Sequence, residues 1–420
     1  MTLATDPDID FKQWQDCHSR WHEMYRRVSR LEPEALIIPH NQAALCRVIQ
    51  EAQEQQKKII PCGNGTKLPW GGVAKHINWL VSTQKLNRIV DHAVNDLTIT
   101  VEAGVTLKTL QAHLRKHKQF LAIDPAFPDN ATIGGIVATA NSGSWRQRYG
   151  GVKDLLLGIT VVRADGQLAK AGGKVVKNVA GYDLMKLFTG SYGSLAIATE
   201  LTFWLYPQQQ SIKTVVLAGN QTDIKTAHQS LLNSVLTPSR ADLLSPTLMR
   251  QLELGEAFGM IIRFAAIPES VDAQILELEA IAIKNKLSIQ PEPEELWQTL
   301  NQKLYAQPVY CKVGLLPSQA CNFLKTVEQI TEKQAIASIR SKSGLGIVAF
   351  PHEKFLRQFR DLRRYCEQHN GFFTMLDASY SLKTQFEPWG YTSNALPLMK
   401  KMKTQFDPNN ILSPQRFLNL

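Results

Sequence analysis

Apolar positions along the chain change their period several times, and each change predicts an element. Residues 1 to about 30, rich in Trp, His and Arg (WQDCHSRWHEMYRR), read as an amphipathic opening helix. His18 and His22 lie one turn apart on it, but no third ligand accompanies them, so a packed or surface helix is expected. LIIP (36–39) is a short strand, and NQAALCRVIQEAQEQQ places Ala44, Leu45, Val48, Ile49 and Ala52 at helical spacing. KKIIPCGNGTKLPWGG (57–72) runs from a strand into a glycine-rich loop, and HINWLVST (76–83) is a strand. NRIVDHAVNDLTITVEAG (87–104) reads as two strands about a turn, with Leu97, Ile99 and Val101 alternating in the second. TLKTLQAHLRKHKQ (106–119) is an amphipathic helix. His113 and His117 fall on it among Arg115, Lys116 and Lys118, a face expected to be solvated rather than metal-binding.

A second glycine-rich region spans Asp124 to Gly151. After it, DLLLGITVVRADGQLAKAGG is a hairpin turning at Asp165-Gly166, and LAIATELTFWLYP (195–207) is a strongly apolar strand. Beyond Pro207 the texture changes. Helical patterns at 222–236, 268–286, 318–332 and 352–369 separate strand-like runs such as GMIIRFAAI, PVYCKVGLLP and GFFTMLDAS. This alternation predicts a second α+β domain built on a sheet, with PEPEELW (291–297) as a surface connection.

Composition narrows the class. The 420 residues are 44% apolar and 20% charged, which excludes a disordered, collagen-like or disulfide-stapled chain. The net charge of +10 is spread out without a basic-aromatic stripe, so nucleic-acid binding is not expected. Cys17, Cys46, Cys62, Cys311, Cys321 and Cys366 form no CxxC pair, so neither a disulfide framework nor a resident iron–sulfur cluster is expected. MTLATDPDIDFKQW is no secretory signal, and no apolar run is long enough to span a bilayer. A cytoplasmic location with at most peripheral membrane contact is expected.

Candidate chemistry concentrates in the glycine-rich loops. Gly63-Asn64-Gly65 follows a strand, but Leu68 stands where a dinucleotide fingerprint needs glycine, and another strand follows instead of a helix. Consecutive backbone N–H groups can still hold an anion, and the residues alone leave a phosphate cradle and an ordinary tight loop both open. ATIGGIVATANSGS and GSYGSLAIATELTF add two more small-residue segments. With no metal-ligand cluster and no nucleophile triad, three such loops in one α/β module suggest the site of a large bound cofactor.

In order and spacing, P-C-G-N-G-T (61–66), V-E-A-G-V-T-L (101–107), T-I-G-G (132–135), R-Y-G-G (148–151), K-N-V-A-G-Y-D-L (177–184) and G-S-Y-G-S-L-A-I (190–197) resemble the FAD-binding domain of the vanillyl-alcohol oxidase/p-cresol methylhydroxylase family. The tail F-D-P-N-N-I-L-S-P-Q-R (406–416) resembles that family's closing segment. The resemblance covers about residues 30–208 and is strongest to flavin subunits of the glycolate oxidase/dehydrogenase kind. It implies an α+β fold: an N-terminal segment (1–29), a two-part FAD-binding domain (30–208), an α+β cap (209–385) and a tail (386–420) returning to the FAD domain.

By position, the resemblance assigns Cys62, Gly63, Asn64, Gly65 and Thr66 to the FAD pyrophosphate. It assigns Pro125, Thr132, Ile133, Gly134, Ser142 and Gly143 to the diphosphate, ribityl and flavin region, and Gly193 and Ile197 to the other end of the cofactor. The first loop offers no histidine for a covalent tether, so FAD is expected to be non-covalent. EPWGYTSN (387–394) stands where relatives acting on D-2-hydroxy acids carry a Gly-Glu-His-Gly run, and Gln415 replaces a usual glycine. The implied activity is glycolate oxidation to glyoxylate, or electron relay from it, within a complex holding a second FAD subunit and an iron–sulfur subunit. A self-sufficient D-lactate-type dehydrogenase and a non-catalytic scaffold are the alternatives. A catalytic base and a carboxylate-binding cation remain unassigned, since spacing selects none of Arg148, Lys177, Arg263, Arg340, Tyr149, Tyr182 and His352.

Overall fold

The computed structural model describes residues 3–174, 182–390 and 394–418. They form two compact units: Met1–Gly143 with Gly150–Gln208 and Tyr391–Leu420, and Ser144–Tyr149 with Gln209–Gly390. Among the described residues no helix is long and apolar enough to cross a membrane.

The first unit is built on two main sheets. In one, Ala35–Pro39, Trp79–Ser82 and Ile59–Cys62 run parallel, and Ile9–Gln13 adds antiparallel to Ala35–Pro39. All five residues of Ala35–Pro39 are buried, as expected of a strand covered on both faces. The helix Gln42–Glu54 starts where the Asn41 side chain accepts the Ala44 N–H at 2.9 Å, and lays Leu45, Val48 and Ile49 on this sheet. Each such fully buried side chain contributes about 1.5–3 kcal/mol. The tail closes the same core. Ile411 and Leu412 are fully buried, and Ile59 donates to the Ile411 carbonyl while Ser413 donates back to Ile59, both at 2.8 Å.

The second sheet of this unit is antiparallel, in the order Ile89–Ala93, Thr98–Glu102, Ile197–Trp204, Leu156–Val162, Leu168–Gly172. The Asp165-Gly166 turn joins the last two strands, with Gly166 at φ +75°.

The second unit carries an eight-stranded antiparallel sheet. The helices Gln221–Leu232, Pro268–Lys284, Ala320–Ile330 and Leu356–Gln368 share its apolar core with one face of that sheet. Residues of the other face follow from register. Arg240 lies opposite Arg263, Asp242 opposite Arg340, Ser338 opposite Ile347, and Ile347 opposite Lys312. That face is rich in cations.

Three local expectations are corrected. The opening segment is not one helix: Ile9–Gln13 is a strand and only Ser19–Tyr25 is α-helical, because an available sheet edge outweighs the helical spacing. Leu97 is not a strand residue but sits in the turn at φ +53°. PEPEELW is no loose connection. Ser288–Glu292 is an edge strand, where Pro291 is tolerated, and Leu296 begins a helix.

Candidate functional site

A cleft opens within the first unit. Its lining comes from the loop after Ile59–Cys62, the helix Ile133–Ala138, the segment 188–198, the strand Leu156–Val162 and the tail residues Ser413 and Arg416.

The loop is tied down through its carbonyls. Ser82 Oγ donates to Gly63 O at 2.8 Å, the Thr83 N–H to Cys62 O at 2.8 Å, and the Leu68 N–H to Gly65 O at 2.8 Å. The Asn64 amide donates sideways to Asn130 O at 3.0 Å. The N–H groups are left over. Among the described residues, no internal acceptor takes the backbone N–H of Gly63, Asn64, Gly65 or Thr66. Orphaned N–H groups in a cleft are rare, because an unpaired donor away from water costs about as much as a lost hydrogen bond. Four in succession form a concavity suited to an anion. Gly63 cannot be larger: a Cβ there would lie 2.0 Å from Thr132 Oγ1, so loop and helix meet only because position 63 has no side chain.

Lys67 adds a charge to this cradle. Its side chain is buried, donates to Ala126 O at 3.3 Å and lies 5.7 Å from the Trp70 ring. Burial lowers its ammonium from an ordinary 10.5 to about 7, with no carboxylate among the described residues opposing the effect. Burial pushes the Cys62 thiol up to about 12, so Cys62 stays a thiol at neutral pH. Burial likewise raises the Tyr192 phenol. Tyr192 stacks on Phe417 at 5.6 Å.

Arg416 locks the tail to this region. It is buried and donates to the carbonyls of Leu68, Trp70 and Gly72, while the Gly72 N–H donates to Arg416 O at 3.0 Å. Upstream, the Lys403 ammonium is buried against Asp407, Ser194 O and Leu412 O.

Of the residues singled out in the sequence, Cys62, Gly63, Asn64, Gly65, Thr66, Thr132, Gly134, Gly193 and Ile197 line the cleft. Pro125, Ile133, Ser142 and Gly143 are outside that lining. Pro125 is buried, and the Ile133 side chain is fully buried at the helix start. Ser142 Oγ accepts the Val152 N–H at 3.0 Å. Gly143 is set by packing, since a Cβ there would meet Asp124 O at 1.9 Å. Lys67, Trp70, Phe188, Tyr192, Ser413 and Arg416 also line the cleft and were missed. The signal for Lys67 was present: it directly follows the glycine-rich run and precedes Leu68 and Pro69, a setting that buries a lysine.

The open list of cations and polar groups sorts as follows. Arg263 is buried, paired with Glu294 at 2.7 Å, and Arg148 donates to Thr237 O at 3.1 Å. Tyr149 is buried, Tyr182 is 91% exposed, and His352 stacks on Phe355 at 4.4 Å. Arg340 lies on the cationic sheet face with its Nε buried and without a hydrogen-bond partner. Lys177 and most of K-N-V-A-G-Y-D-L fall outside the described residues. His18 caps its helix by accepting from the Arg20 N–H at 3.2 Å, and His22 packs on Trp14 at 4.6 Å, so the two have separate structural tasks.

The unpartnered amides, the glycine that admits Thr132 and the buried lysine together fit a diphosphate-bearing cofactor. Comparison with known proteins agrees. Residues 33–172 match the family described as an FAD binding domain. The chain is 25% identical over 421 residues to glycolate oxidase subunit GlcD of Bacillus subtilis, covering 91% of this chain and 88% of that protein. It is 24% identical over 428 residues to a mitochondrial D-lactate dehydrogenase [cytochrome] of Arabidopsis thaliana, covering 92% and 73%. It is 38% identical over 124 residues to glycolate oxidase subunit GlcE of Escherichia coli, covering 29% and 35%. The fold superposes on p-cresol methylhydroxylase with a TM-score of 0.74 at 16% identity, covering 100% of this chain and 96% of that one. Residues 33–172 thus form an FAD binding domain, and the chain as a whole shares the fold of p-cresol methylhydroxylase.

Proposed function

We propose that this chain is the FAD-binding subunit of a glycolate oxidase-type complex, holding FAD non-covalently in the cleft of its first unit and working with an iron–sulfur partner. The carrying observation for the cofactor site is the run of four unpartnered amides at Gly63–Thr66. In this reading those amides and Lys67 take the diphosphate. Thr132, Gly134, Gly193 and Ile197 line the rest of the cofactor's length, and Arg416 keeps the loop from opening. Pro125, Ser142 and Gly143 hold the wall behind it, with Ile133 seating the helix. We place the working boundaries near residues 208 and 385.

Bound FAD supplies a two-electron acceptor, which the oxidation of a hydroxyl carbon requires. A 2-hydroxy acid also needs a cation for its carboxylate. The second unit offers Arg340 and Lys312 on one sheet face. Burial lowers the Lys312 ammonium to about 8, with Arg340 and Arg146 acting in the same direction, while Asp242 faces Arg340 across the same sheet face. Likeness to a glycolate oxidase subunit along nearly the whole chain supports the substrate. The word subunit in that relative's name supports a complex, and the six free cysteines, none in a CxxC pair, favour an external iron–sulfur cluster.

The test is to isolate the chain with its natural partners by a tag on this chain, and to measure glycolate-dependent dye reduction and iron content. Glycolate turnover with iron in the isolate supports the proposal. A chain that isolates alone and reduces dye with D-lactate is a self-sufficient dehydrogenase and overturns it. A chain that takes up no FAD is a scaffold.

A further inference from the structure

Outside the cleft, the fold assembles a cluster that spacing along the sequence concealed. His92 comes from the strand Ile89–Ala93, His113 from the helix Leu107–Arg115, and His117 from the residues just after it. Their ligand atoms all lie within 4.8 Å of one another. His92 Nδ1 and His113 Nε2 are 3.1 Å apart, and the three ring centroids are separated by 4.9–5.5 Å. Two imidazole nitrogens bound to one tetrahedral Zn²⁺ at about 2.0–2.1 Å stand about 3.3 Å apart. The observed pair already has that spacing.

The surroundings orient the first ligand. Gln119 is buried and its amide N–H donates to Val94 O at 2.8 Å, which fixes its oxygen toward His92. That oxygen lies 2.9 Å from His92 Nε2. The ring proton therefore sits on Nε2, and the Nδ1 lone pair faces His113 and His117. A ligating histidine almost always has such a partner on its other nitrogen. Without an ion, His113 Nε2–H donates to His92 Nδ1; on binding, that proton moves to the other ring nitrogen or to solvent, freeing a second lone pair.

We propose that His92, His113 and His117 form a zinc-class divalent metal site, with solvent or a small anion in the fourth position. Three imidazoles with no carboxylate or thiolate suit Zn²⁺ and its neighbours, not Mg²⁺ or Ca²⁺, which need oxygen ligands. The adjoining Arg115, Lys116 and Lys118 favour an anionic fourth ligand. The ion ties a strand, a helix end and a turn together, and none of the three histidines lines the FAD cleft. It is thus a clip on the fold rather than part of the redox site.

The test uses the full chain, tag removed and metal stripped with a chelator. Zn²⁺ is titrated against a chromophoric competitor, and Co²⁺ is added separately. The expected result is one Zn²⁺ per chain, with Co²⁺ giving the visible d–d bands of a tetrahedral nitrogen site. His113→Ala and the exposed-site variant His117→Gln lose both signals. Gln119→Leu weakens Zn²⁺ by about 10–100-fold, and Gln119→Glu, which keeps the acceptor, restores it. Retained FAD content shows that each variant is folded. A native chain that takes up no Zn²⁺ overturns the proposal, as does binding that survives in folded His113→Ala and His117→Gln.

Discussion

Lys67→Met should change stability and cofactor affinity in opposite directions. In the FAD-free chain, burial holds the Lys67 ammonium near 7 instead of 10.5. At about 1.4 kcal/mol per pH unit, that displacement costs on the order of 5 kcal/mol at pH 7. Methionine removes this cost but leaves the Ala126 carbonyl without its donor, a loss of about 1–3 kcal/mol. The balance favours the variant by about 2 kcal/mol or more, so the FAD-free variant should unfold several degrees higher in a thermal scan. The sign with pH follows from proton uptake. Between pH 7 and 10.5 the unfolded chain holds the proton and the folded chain does not, so native stability rises across that window and is flat below it. In the variant the part of this rise due to Lys67 disappears. With FAD, the diphosphate holds the lysine charged, so binding takes up a proton above pH 7 and native affinity falls as pH rises. Lys312, lowered to about 8, adds to the rise above pH 8, and Cys62, raised from an ordinary 9 to about 12, opposes it above pH 9, so the Lys67 contribution is read as the difference between variant and native chain from pH 7 to 8. Loss of one charge-assisted contact of about 1.5–3 kcal/mol weakens FAD by roughly 10- to 150-fold, read by flavin fluorescence quenching at pH 7. A variant with unchanged FAD affinity and unchanged midpoint would refute the placement of Lys67 beside the diphosphate.

Three other outcomes are expected. Gly63→Ala drives a methyl to within 2.0 Å of Thr132 Oγ1, costing about 1–3 kcal/mol and lowering the flavin content of the purified chain, measured as the ratio of visible to ultraviolet absorbance. Arg416→Met strips a donor from three buried carbonyls and lowers the unfolding midpoint by the equivalent of about 3 kcal/mol or more, with Arg416→Lys a partial rescue; a midpoint unchanged in differential scanning would remove the tail from the account. Asp407→Ala leaves the buried Lys403 ammonium without its partner and costs about 3–5 kcal/mol, whereas the double change Lys403→Met with Asp407→Leu costs less than the single one, as denaturant unfolding will show.

Much of the first unit was legible because its signals are local. Helical spacing at Ala44 to Ala52, the Asp165-Gly166 turn and the order of the glycine-rich loops each depend on neighbours in sequence. What escaped depends on long-range contacts. The strand Ile9–Gln13 exists because Ala35–Pro39 offers an edge, which no periodicity in the opening segment announces. Arg416 lies 344 residues from Gly72, so its role could be seen only once the tail had been placed. His113 and His117 were visible as a pair on one helix, but His92 joins them through the packing of a strand 21 residues earlier. The alternation of cations on the second unit's sheet became readable only from register, since Arg240, Arg263, Lys312 and Arg340 sit on four different strands.

The central claim is that the backbone loop Cys62–Thr66, with Lys67, holds FAD in this chain without a covalent bond. A visible absorption spectrum of the purified chain, repeated on the supernatant after acid precipitation, tests it most directly. The account predicts a flavin spectrum that passes wholly into the supernatant. A colourless chain that takes up no added FAD, or a flavin that stays with the precipitate, would contradict it.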